Sequence, residues 1–172
     1  QQAKALSKQY VKFSLHVLQR PFERMHDADA QHFPNALITL GLAAVLFPLF
    51  VATSAARMGL GFSFGNMMVQ PLLYALLGMA AAIGAIYGIL KLQGVQVEIK
   101  QITVQYAVLL VTVPASLLLT IVLALLAFSV QLTLFFFVLS VLFAIVAMNV
   151  VVLQYSPDNT PKLDRFYSLV IA

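Results

Sequence analysis

Charge is nearly absent from the middle of this chain, and the gaps are too long for a soluble core. No charged side chain occurs in residues 33–56, in 58–90, or in 101–157. At 1.5 Å of rise per residue, about 20 apolar residues in a helix cross the ~30 Å hydrocarbon core of a bilayer. A soluble helix keeps one polar face in water, and these runs have no charged face to offer. Composition agrees. Of 172 residues, 62% are hydrophobic and 9% charged, against roughly 25% charged in an average soluble domain. With a mean hydropathy of +0.95, too few polar groups remain to cover a globular surface. The chain reads as an integral membrane protein.

Interruptions within the runs divide them into spans. Residues 33–56 make the first. In 58–90 the opening stretch, with Gly59, Gly61 and Gly65, reads as a loop dipping into the interface, and the second span follows at about 69–92. The third run is too long for one helix, and its least apolar point, around Ser129 and Gln131, predicts a tight hairpin. Spans three and four are therefore placed at about 102–128 and 132–155. Pro157 and Pro161 then block continuation, and an apolar stretch from about 163 is read as the start of a fifth span. The expected fold is all-α: a polytopic transmembrane helical bundle of four full spans plus the start of a fifth, preceded by an amphipathic interfacial helix. Two regions result, a cytoplasmic helix and polar linker at 1–32 and a transmembrane domain at 33–172.

Orientation is read from the basic residues between spans. Lys4, Lys8, Lys12, Arg20, Arg24, Lys91, Lys100, Lys162 and Arg165 fall on one side, and Arg57 alone on the other. Nine against one predicts a multi-pass protein of the cell membrane with its amino terminus in the cytoplasm. The net charge of +4 does not indicate nucleic acid, because ten basic residues spread over so apolar a chain form no continuous basic surface.

Lys4, Lys8, Lys12, His16 and Arg20 recur every four residues along one helical face, while Leu6, Tyr10, Phe13 and Val17 form an apolar stripe. Pro21 ends this helix. A basic amphipathic helix beside a span points to anionic lipid, with Lys4, Lys8, Lys12, Arg20 and Arg24 as headgroup contacts, each contributing about 1 kcal/mol. A solvated linker helix, or a surface for a protein partner at the cytoplasmic face, would show the same spacing.

Catalytic signatures are missing. Cysteine is absent, which excludes a thiolate metal site or cysteine nucleophile within these residues. His26, Asp27, Asp29 and His32 include metal-ligating types, yet a short hydrated loop needs the same polarity, so no metal site and no cofactor is assigned. No paired His-Glu motif, phosphate-binding glycine loop or nucleophile elbow occurs, and the chain reads as a non-enzyme.

Inside the spans the polar groups are mild. Thr112, Ser116 and Thr120 share a face at intervals of four, which suits either helix-packing hydroxyls or a polar path. Asn149, the deepest amide, is expected to find an interhelical partner. Ala80, Gly84 and Gly88 place a small residue at every fourth position of span two, a groove for close helix approach. Packing against another span of the same chain is expected, with a homodimer as the alternative. Pro48 and Pro114 are expected to kink their helices or cap a break. Val95, Val97 and Ile99 alternate with polar residues, a short extended stretch unable to form a sheet alone.

Several segments together resemble a known family. The basic stretch from Lys4 to Tyr10 leading through Val17 to Phe22, Asn35 to Thr39 at the start of span one, Gln70 to Leu73 at the start of span two, and Leu163 to Tyr167 at the start of a last span are similar to bacterial zinc-ribbon membrane proteins of the Yip-like family. The resemblance implies five spans and a four-cysteine zinc ribbon upstream, which is absent here, so any zinc-dependent role lies outside these residues. The function expected on all these grounds is a non-enzymatic membrane scaffold or regulator anchoring a cytoplasmic sensing or docking domain. The alternative is a small-solute or lipid transporter or channel using the hydroxyl face of span three.

Overall fold

A computed structural model of the protein describes residues 32–61, 63–126 and 129–155. The expected amphipathic helix, with Lys4, Lys8, Lys12, Arg20 and Arg24, and the expected start of a fifth span lie outside these residues. Within them the chain is a helical bundle without strands, and four helices are long and apolar enough to cross a membrane.

The first span is α1, Phe33–Arg57. Pro34 sits in its first turn, where a missing N–H costs nothing because no carbonyl waits for it. Gly59 closes the other end at φ +70°, a left-handed conformation that a side chain would strain. The turn sends the Leu60 N–H to Ala55 O at 3.0 Å and the Gly59 N–H to Ala56 O at 3.1 Å, satisfying two terminal carbonyls.

The second span opens with a π-helical turn, Gly65–Val69, and continues as α2, Gln70–Leu92. It ends in the same device. Gly94 has φ +80°, and the Val95 N–H reaches Leu90 O at 3.0 Å. Glu98 is extended, and its carbonyl starts the third span by accepting from Gln101 and Ile102. The expected extended stretch is thus a connector and nothing more.

The third span is broken. Its parts are α3, Ile99–Leu109, and α4, Thr112–Leu125. Pro114 accounts for the break, since it has no N–H for Leu110 O four residues back. That carbonyl takes the Val113 N–H at 2.9 Å instead, a tighter i−3 bond that interrupts the α-helical ladder. Pro48, by contrast, lies within an unbroken α1. The fourth span is α5, Val130–Tyr155. Ser129 caps it, its Oγ accepting from the Leu132 N–H at 3.2 Å.

Burial is uneven. Half of the third span's most apolar window is buried inside the bundle, against 11% for the second. Residues 102–111 are all buried. Around them lie Ala36 and Ala43 from α1, Ile86 and Leu90 from α2, and Val151 and Val152 from α5. Phe50 and Phe137 stack at 4.7 Å where α1 meets α5. Alanines suit the α1 seam because, between helices in lipid, close approach rather than water exclusion supplies the attraction.

Two expectations are corrected. Ala80 and Gly84 lie on the exposed side of α2, and a Cβ built at Gly84 or Gly88 meets nothing within 4 Å among the described residues. Among the described residues, α2 packs instead through the bulkier Ile86, Ile89 and Leu90. The second correction concerns Asn149, whose Nδ2 donates to Ile145 O of its own helix at 2.9 Å. Its Oδ1 is buried without a partner among the described residues.

Candidate functional site

Four spans with few polar groups leave two places where chemistry could reside: the hydroxyls inside the bundle and the cavities between helices. The hydroxyl face expected on span three forms, and α4 carries it inward. Thr112 Oγ1 donates to Leu109 O at 3.1 Å, and Thr120 Oγ1 to Ser116 O at 2.7 Å. Ser116 Oγ lies 3.1 Å from Val113 O and 2.6 Å from Ser140 Oγ on α5, while Ser140 also reaches Phe136 O at 2.9 Å. Two hydroxyl protons are therefore shared among three close contacts, of which two are hydrogen bonds at any moment. Thr120 is 0% exposed, Ser140 2% and Ser116 8%. The face is a seam, closed by its own helices. Spacing identified the Thr112, Ser116 and Thr120 face, and Ser140 was visible only as an isolated hydroxyl.

Cavities among the described helices include three of a few hundred Å³. A cleft of about 390 Å³ draws its walls from all four spans, among them Ala43, Phe47, Gly78, Tyr106 and Ser140, and is almost wholly apolar. A groove of about 430 Å³ sits between the end of α1 and the hairpin joining α4 to α5, equally apolar but with Arg57 among its lining residues. The third, about 610 Å³, lies at the opposite end against the connector and is lined by Tyr87, Lys91, Gly94, Gln96 and Glu98. Only this last one is substantially polar. Nearby, Lys91 Nζ stands 5.7 Å from the centre of the Tyr87 ring and Lys100 Nζ 5.4 Å from that of Phe33. Aromatic–cation pairs of this kind suit the boundary between hydrocarbon and water.

Glu98 is the one carboxylate among the described residues. No group of three His, Cys, Asp or Glu side chains that could hold a metal occurs among them. Of the histidine and aspartate cluster at 26–32, only His32 falls within the description. The small residues Ala80, Gly84 and Gly88 line none of the three cavities. The polar groove at the connector and the basic residues beside it are therefore the candidate site among the described residues. No protein family, curated protein or solved structure matches the chain.

Proposed function

We propose that the chain is a non-enzymatic scaffold of the cell membrane, whose four-span bundle anchors a cytoplasmic sensing or docking domain. The observation that carries this reading is the closed hydroxyl seam. A transport path through span three would need Thr112, Ser116 and Thr120 turned toward water, whereas their hydroxyls bond to helix carbonyls and to Ser140. In this reading the amino terminus is cytoplasmic, following the nine-to-one division of Lys and Arg. Lys4, Lys8, Lys12, Arg20 and Arg24 then rest on anionic headgroups, and the groove beside Lys91 and Glu98 faces the cytoplasm as a polar docking surface for a protein. Kinship with the Yip-like zinc-ribbon proteins belongs to the same proposal, on the strength of the segments that resemble them.

Solute flux tests it. Liposomes containing the purified chain and loaded with small cations, anions or sugars should leak no faster than protein-free liposomes. A saturable flux that is lost in a Ser116→Val, Ser140→Val variant would replace the scaffold with a transporter built on the same seam.

A further inference from the structure

The groove at the end of α1 has features that the scaffold reading does not use. Arg57 occupies the last turn of α1 and is the one charged side chain at this end of the bundle among the described residues. The cation lies at the negative end of the helix dipole, where it is favoured. From Arg57 the groove runs back along α1 to Phe50, seven residues or about 10 Å of helix. Its walls include Phe50, Ala124, Leu134 and Phe137, with Ser54 also in the lining. Leu60 is folded over it by the Gly59 turn, and both Leu60 and Leu134 are more than half exposed.

Depth and charge together indicate an occupant. Arg57 ends a membrane-spanning helix and so stands at the level of headgroups, while the apolar walls extend from it into hydrocarbon. An extended peptide would need backbone partners that these walls do not supply, and a free anion would have no use for the walls. We propose that the groove binds an anionic phospholipid, with an acyl chain against Phe50, Ala124 and Phe137 and the phosphate on the Arg57 guanidinium. Five N–H donors allow that guanidinium to hold a phosphate beside any contact it already makes within the chain. A cavity of about 430 Å³ is within the range of sites that bury small lipophilic ligands.

The chain contains no tryptophan, so Leu134→Trp, on the groove wall and more than half exposed, provides a single reporter. The full-length variant would be reconstituted in mixed vesicles containing phosphatidylglycerol or phosphatidylcholine with brominated acyl chains, which quench tryptophan on contact. Phosphatidylglycerol should compete for the reporter about fivefold better than phosphatidylcholine, the size expected of one basic residue at an anionic surface. Arg57→Gln should abolish that preference, Arg57→Lys should keep part of it, and Lys91→Gln at the far end should leave it unchanged. Equal quenching by both lipids in the parent, or a preference that survives Arg57→Gln, would overturn the proposal. So would loss of the preference in millimolar inorganic phosphate, which would make this an anion site without a lipid. A second copy of the chain seated in the groove would shield the reporter from both lipids, and that result would also overturn it.

Discussion

Ser116 and Ser140 stand 2.6 Å apart, Oγ to Oγ, and each also has a carbonyl of its own helix within reach. That second choice limits what the contact between α4 and α5 can contribute. If Ser140 is replaced by alanine, Ser116 still donates to Val113 O, so no buried proton is left without an acceptor. Interhelical hydrogen bonds in membranes average about 0.6 kcal/mol for this reason. A double-mutant cycle on Ser116→Ala and Ser140→Ala, read from reversible unfolding in mixed micelles, should return a coupling of about that size. A coupling of several kcal/mol would mean that the helix carbonyls are not alternative acceptors. The four-residue spacing made the hydroxyl face legible in the sequence. Its partner was not, because periodicity tells which side of a helix is polar and nothing about which helix stands opposite.

Gly59, Gly84 and Gly94 illustrate the same limit for whole elements. All three read alike as letters, yet they do different work. Gly94 ends α2 at φ +80° and Gly59 ends α1 at φ +70°, while Gly84 is helical, exposed and meets no neighbour among the described residues. Gly94→Ala should therefore cost about 1–2 kcal/mol, the left-handed penalty for a residue with a Cβ. In monodisperse detergent, Gly84→Leu should change stability by no more than ~0.5 kcal/mol, as for an exposed substitution. Thermal unfolding of both variants checks the pair, and a large loss at Gly84 would place a helix against that face after all. The spans themselves were legible to within a few residues, because a charge-free run of bilayer length has few other uses. Pro114 announced the break in span three through the N–H it lacks. The small-residue stripe of span two misled for an equally physical reason: a shallow groove permits a neighbouring helix and does not require one. Here Ile86, Ile89 and Leu90 fill the seam, and no spacing rule marks them off from the lipid-facing leucines of the same helix.

Taken as a whole, the molecule is asymmetric from end to end. The end that carries Lys91 and Lys100 also carries Glu98, the polar groove and both cation–aromatic pairs. The other end has Arg57, an apolar groove and a hairpin cap at Ser129. Anionic lipid and the membrane potential both favour basic residues on the cytoplasmic side, so the first end should face inward. Because the chain has no cysteine, single substitutions can report this without background. Gln96 and Ser129 are exposed on opposite connectors. In intact cells, a membrane-impermeant maleimide should label Ser129→Cys and should reach Gln96→Cys only once the membrane is opened. The reverse pattern would leave the bundle and its hydroxyl seam intact, since neither depends on direction. It would turn the polar groove away from the cytoplasm and remove the docking role proposed for it. The Arg57 groove would move to the inner leaflet, still a lipid site but one drawing on a different pool of anionic headgroups.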